Sequence, residues 1–473
     1  MDIDEFRSHA HQMVDWMADY LAGIEKFPVR AQTAPGEIES RLPASAPVSG
    51  ESISEIMADF ERDILPGITH WQHPSFFAYF PANSSPPSVL GEMLTAAIGA
   101  QCMLWQTSPA ATEMEGRVLD WLRQLIGLDE GFSGVIQDSA SGAILCALLT
   151  AREKATGYSI NEDGFAGGPE LVAYCSSEAH TSTEKGAKIA GYGRRNVRKI
   201  AVDDKFAMRP DALEQAIVED KAAGRVPACV VASLGATGVG GIDDLKAVGG
   251  ICTRHGVFFH VDAAWAGSAL ILPEYRWMLE GQNHIDSLVF NPHKWLATNF
   301  DCSAHFVRDP EALIRTFAID ATYLQSREGE QVTDYRDWGV PLGRRFRALK
   351  LWFVLRSYGV SGLQEMLRRH IGLAEQLEQK IDADPDFMLA TPRVLSLLNF
   401  RYQPEGMDDS TADEINEALL HRLNDSGDAY FTPNRVGGRY VIRFSIGQTN
   451  TDARHVENGW RLVTQTARSL QTA

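Results

Sequence analysis

The chain has 473 residues, too many for one small core, and its 44% hydrophobic and 22% charged residues are the composition of a packed protein rather than a disordered one. With 44 Lys plus Arg against 62 Asp plus Glu the formal net charge is −18, which repels nucleic acid and anionic membranes at long range. The opening residues are acidic where a secretion signal is basic, and no stretch is apolar for long enough to span a bilayer, so a cytoplasmic protein without nucleic-acid or membrane partners is expected.

Along the chain, Phe6, Ala10, Met13, Val14, Met17, Tyr20, Leu21 and Ile24 recur at helical spacing and predict an amphipathic helix that must bury its stripe, on this chain or on a second copy. The segment "APGEIESRLPASAPVSGES" then reads as an extended connection, followed by a helix from about Ile53 to Ile64. From about residue 86 to 360 the apolar runs "LVAYCSS", "ACVVASLG", "VFFHVDAA" and "SLVFN" alternate with helical segments such as "GAILCALLTAREKA". That alternation predicts a mainly parallel sheet covered on both faces. Beyond 360 helices mix with the strands "SLLNFRY" and "RYVIRFSI", an α+β pattern. Three regions are expected: 1–85, 86–359 and 360–473. The six cysteines are scattered, with no C-x-x-C pair and no cluster with His, so reduced buried thiols and no metal site are expected.

Open α/β sheets bind ligands at the carboxyl ends of their strands. Four polar residues follow apolar runs in this way: His180 after "LVAYCSSEA", Thr237 after "ACVVASLGA", Asp262 in "VFFHVDAA" and Lys294 in "SLVFNPHKW". A single lysine is most often a solvated surface residue, so the set matters more than any member. Upstream, Ser139, Ala140, Ser141 and Gly142 precede a helix, where free backbone N–H groups and the helix dipole favour a phosphate, although a plain Ser N-cap has the same sequence. A phosphate seat, an Asp, a His and a Lys able to form a Schiff base imply pyridoxal phosphate as the ligand. Lys294 would hold it as an aldimine, Asp262 would pair with the pyridinium nitrogen, His180 would stack on the ring and Ala264 would let the ring lie flat.

The segments "AHTSTEKGAKIAG", "FFHVDAAWAGSAL", "NPHKW", "NFDCSAHFV" and "TDYRDWGVPLGRRFRALKLWFVLRSYG" resemble the group II pyridoxal-phosphate decarboxylases, most of all the aromatic-L-amino-acid decarboxylase branch. The resemblance implies the fold type I, aspartate-aminotransferase-like architecture: a mainly parallel seven-stranded sheet, a smaller C-terminal α+β domain and an N-terminal helical extension. It also implies a homodimer with active sites at the interface, the helical extension on the partner, and Phe300 reaching the partner's cofactor. By the same likeness Asn291 and His293 assist the phosphate seat, and Thr237 lies near the cofactor's phenolic oxygen and the substrate carboxylate. The implied reaction is decarboxylation of an aromatic L-amino acid to its amine. Its proton donor would be Tyr335, on a polar lid spanning about 321 to 338. Relatives that form aldehydes usually replace this Tyr or the His, and this chain replaces neither.

Two departures stand out. The family's "QGSASE" is "QDSASG" here, with Asp138 and Gly142, and its hydroxyl residue after "YFP" is Ala82. For the substrate side chain, Trp71, Tyr79, Phe80, Pro81, Ala82 and Trp105 supply flat apolar surface, and no Lys or Arg within that aromatic stretch offers itself to a second carboxylate. Gly343 stands where plant relatives carry Gly for indolic and Ser for phenolic substrates. Competing readings are an aldehyde-forming oxidative enzyme on the same fold, a decarboxylase of histidine or an acidic amino acid, and a silent α/β dimer that acts as a binding protein.

Overall fold

The computed structural model describes residues 1–319 and 331–471. The chain forms two compact units, one of Met1–Pro81, His370–Ala390 and Leu398–Ala473, the other of Ala82–Arg369 and Thr391–Leu397. The opening and closing segments thus share a unit, and the chain passes between the units at 81/82, 369/370, 390/391 and 397/398.

The second unit holds the seven-stranded sheet. Its strands are β1 (Ser133–Gln137), β2 (Leu171–Ser176), β3 (Val197–Ile200), β4 (Val226–Ser233), β5 (Phe258–Asp262), β6 (Ser287–Phe290) and β7 (Ser303–Val307). They lie in the order β1-β7-β6-β5-β4-β2-β3. β2, β6 and β7 are buried at every residue, and β4 at all but its first, which is why these strands read as continuous apolar runs rather than alternating ones. β2 pairs in parallel with β3 and β4, β4 with β5, and β5 with β6, whereas β7 runs antiparallel to both β6 and β1. The carboxyl ends of β1, β2, β4, β5 and β6 therefore share one edge, and the start of β7 meets them there, with Ser303 opposite Gln137.

Helix Ala140–Ala155 packs on this sheet through Ala143, Ile144, Ala147, Leu148 and Ala151, a buried stripe at helical period. After β4 the chain turns tightly: Leu234 N–H donates to Asp262 O (2.9 Å), and Gly235 takes φ +81° where a Cβ would lie 2.7 Å from the Ala266 methyl. Beneath that turn Trp265 and Trp295 stack at 5.2 Å.

In the first unit β8 (Phe387–Leu389), β9 (Leu397–Tyr402), β10 (Thr432–Val436) and β11 (Arg439–Ser445) form a sheet in the order β10-β11-β9-β8. Its core joins Phe77, Leu398, Phe400, Phe431, Phe444 and Trp460. The opening helix spans Ile3–Ala22, with Asp2 as N-cap in a capping box with Glu5, and buries none of its residues within the chain. The connection expected to be extended contains one helical turn, Glu37–Arg41. Glu37 accounts for it by accepting Ala34 N–H (2.9 Å) and pairing with Arg41 one turn on. Residues Ile53–Asp59 are helical and continue through Phe60–Ile64 with wider turns. No helix of the described residues is long and apolar enough to cross a membrane.

Candidate active site

Lys294 stands at the carboxyl edge of the sheet on the short helical turn Pro292–Trp295, where Pro292 fits the first helical position and Lys294 N–H donates to Asn291 O (2.9 Å). The neighbouring residues are buried and Lys294 itself is half-buried. Asn291 N–H donates to Ala264 O (2.9 Å), tying the end of β6 to the end of β5, and Asn291 Oδ1 accepts the Ser303 hydroxyl (2.7 Å), tying it to β7. From the start of the same unit, Asn83 donates N–H to His293 O (3.1 Å) and Nδ2–H to Lys294 O, which seats its neighbour Ala82 beside the lysine turn.

Asp262 ends β5, and its Oδ1 accepts the N–H of Ala264 (3.0 Å). His180 follows β2 as N-cap of helix Thr181–Ile189, with Nδ1 accepting Ser182 N–H (3.2 Å) and lying 2.7 Å from Ser182 Oγ. A ring whose Nδ1 accepts an amide carries its proton on Nε2. By area His180 is exposed in the single chain, yet the atoms around it desolvate the ring and hold its pKa below the usual imidazole value. Asp262 acts against that shift and Lys294 adds to it. His180 is therefore within electrostatic reach of both Asp262 and Lys294. Thr237 sits in the loop after β4 at the same edge, half-buried.

His293 accepts Cys302 N–H at Nδ1 (2.9 Å), and burial pushes its pKa down to about 3, so it is neutral with its proton on Nε2. The Phe300 ring lies 4.7 Å from it and is 62% exposed. Asp301 fixes this segment by accepting two hydrogen bonds from Arg347 (3.1 and 3.0 Å). After β1, Ser139 caps helix Ala140–Ala155, its Oγ accepting Gly142 N–H (3.1 Å), while the first-turn amides of Ala140 and Ser141 point out of the helix end. An anion seat, a carboxylate, a neutral imidazole and an amine on one sheet edge fit pyridoxal phosphate.

Tyr335 is not brought to this group. It is 5% exposed in a core cluster with Val135, Cys146, Val307, Leu313 and Trp338, under the Arg344 guanidinium (4.8 Å), and burial raises its pKa. The packing puts the Tyr335 phenol in a core cluster of the single chain, where the role of proton donor expected of it has no counterpart among the described contacts. The lid expected over 321–338 falls largely outside the described residues, and its described end, Tyr335–Trp338, is a packed helical turn. Trp105 and Gly343 belong to the same corner as Tyr335. Within the chain the Trp105 N–H donates to Asp334 Oδ1 (2.8 Å) and its Nε1–H to Glu113 (2.9 Å). Gly343 is exposed, with Gln101 3.2 Å from the point a Cβ would take. Arg344 closes the corner with a buried two-pronged ion pair to Glu115 (2.6 and 3.2 Å) and a hydrogen bond to Ile136 O (3.0 Å).

Trp71, Tyr79, Phe80 and Pro81 lie in the other compact unit. There Trp71 stacks on Tyr79 (5.7 Å), and Phe80 is buried beneath the Arg443 guanidinium (5.1 Å).

A family model described as "Pyridoxal-dependent decarboxylase conserved domain" matches residues 35–403. The chain is 42% identical to Phenylacetaldehyde synthase of Arabidopsis thaliana over 99% of this chain and 97% of that protein. It is also 42% identical to Aromatic-L-amino-acid decarboxylase of Mus musculus over 100% and 99%. The crystal structure of Oryza sativa TDC with PLP and tryptamine superposes with a TM-score of 0.96 at 36% identity, covering 99% of each chain. The strand-end lysine, carboxylate and imidazole thus stand within a likeness that runs the whole length of the chain, and the chain belongs to the pyridoxal-dependent decarboxylase family.

Proposed function

We propose that the protein decarboxylates an aromatic L-amino acid, of the class of tryptophan, dopa, tyrosine or phenylalanine, to the amine and carbon dioxide, with its cofactor held covalently through Nζ of Lys294. The observation that carries this is the meeting of Lys294, Asp262 and neutral His180 at one sheet edge. The aromatic class is supported by the full-length likeness to the mouse enzyme of that name.

When bound, pyridoxal phosphate supplies an electron-accepting ring that stabilises negative charge at the substrate Cα as carbon dioxide leaves. Asp262 would pair with the ring nitrogen, and the small Ala264 would leave room for the ring. His180, its Nδ1 held by Ser182, would meet the ring as the neutral imidazole. Ser139, Ala140 and Ser141 would hold the phosphate, with Asn291 and His293 fixing the turn that carries Lys294. Thr237, at the same edge, would orient the substrate. The working form is a homodimer. Phe300, exposed in one chain, and the opening helix, with no residue buried in its own chain, are the surfaces a second copy covers.

The test is the ultraviolet-visible spectrum of the purified protein while tryptophan, dopa, tyrosine, phenylalanine, histidine and glutamate are added in turn, with carbon dioxide and product followed in parallel. A yellow protein whose band shifts with an aromatic amino acid and which releases carbon dioxide and amine is expected, and Lys294→Ala loses both band and turnover. Aldehyde with peroxide as the main product would replace this reading by the activity named for the Arabidopsis relative. A protein that stays colourless with added pyridoxal phosphate would end it.

A further inference from the structure

Asp138 has no part in the roles above, yet it stands at the anion seat. It follows β1 and immediately precedes Ser139, and it is exposed in the chain. The Ser139 hydroxyl donates to Asp138 Oδ1 (3.0 Å) while its oxygen accepts Gly142 N–H (3.1 Å). A Cβ built on Gly142 would lie 2.5 Å from the same Asp138 Oδ1. The carboxylate therefore fills the room that a side chain at 142 requires. The two departures from "QGSASE" are one exchange, in which the acidic group stands at 138 and the glycine at 142.

We propose that Asp138 lowers the affinity of this enzyme for the phosphate of its cofactor, by holding the Ser139 hydroxyl proton and by fixing a negative charge at the same helix end. The proposal rests on the reading of Ser139–Ser141 as the phosphate seat. A serine hydroxyl has one proton to donate, so carboxylate and phosphate compete for it. Both anions are drawn to the same helix N-terminus and repel each other there. Arg347 feels the charge of Asp138, but its guanidinium is committed to Asp301 through two hydrogen bonds. No ion pair joins Asp138 to a cation among the described residues.

The experiment is equilibrium refilling of the full-length, cofactor-depleted enzyme with pyridoxal phosphate and with pyridoxal, which lacks the phosphate, read by absorbance. Wild type is compared with Asp138→Asn, Asp138→Gly and Ser139→Ala. Removing the charge is expected to tighten pyridoxal phosphate binding about tenfold, the effect of one charge–charge contact in partly screened surroundings, and to leave pyridoxal binding unchanged. An unchanged affinity for pyridoxal phosphate in both Asp138 variants, or an equal gain for the two ligands, overturns the proposal. Ser139→Ala separates its premise. This variant weakens pyridoxal phosphate relative to pyridoxal if the seat is where we place it, and an unchanged ratio removes the seat and the proposal together while leaving the Lys294 chemistry standing.

Discussion

Tyr335 and Tyr323 make opposite predictions. Tyr335→Phe removes a hydroxyl from a packed aromatic cluster, so the ratio of amine to aldehyde stays as in the wild type and the change shows in thermal unfolding alone. Tyr323 belongs to the same expected lid, in the segment outside the described residues. If a lid tyrosine returns the proton to Cα, Tyr323→Phe lowers amine and raises aldehyde and peroxide, as quantified by chromatography of products. Equal product ratios in the two variants would remove both residues from that step. The sequence did carry a warning about Tyr335. Tyr335 and Trp338 are three residues apart, the spacing of side chains that share one helical face, while the polar residues before them suggested a lid throughout.

At the level of elements, strand ends were the most legible part of the site. An apolar run that stops at a polar residue marks the carboxyl end of a buried parallel strand, and that rule alone gathers His180, Asp262 and Lys294. What it could not reach are pairings between distant segments. Asn83 meets Lys294 across 211 residues and Arg344 meets Glu115 across 229, and neither pair has a local signal. The opening helix was legible as amphipathic, and its apolar Phe6 and Val14 are 54% and 40% exposed in the chain. Phe6→Glu with Val14→Glu should convert a dimer to monomers in sedimentation velocity and lower activity with it. A pair of variants that stays dimeric would assign the interface to other elements.

For the molecule as a whole, buried histidines set the acid limit. Burial pushes His73 down to about 4 and His293 and His305 down to about 3. Each is neutral in the folded state at pH 5, whereas in the unfolded chain it gains a proton below about 6.5. The unfolded state therefore binds more protons as pH falls from about 6.5 toward 4, and each of these residues removes about 1.4 kcal/mol of stability per pH unit within that window. Urea unfolding at pH 7, 6 and 5 should show the midpoint falling steeply. A flat profile would mean that these imidazoles titrate freely when folded.

The antiparallel β7 has a metric consequence. It separates β1, which leads to the anion seat, from β6, which leads to Lys294, by two strand spacings, about 10 Å. If Lys294 holds the cofactor and Ser139–Ser141 its phosphate, as proposed, the sheet works as a ruler, and the lysine arm and the ligand together span about that distance. Ligands are sorted by reach as well as by charge, and a cofactor analogue with one extra methylene between ring and phosphate would satisfy either end of that gauge but not both.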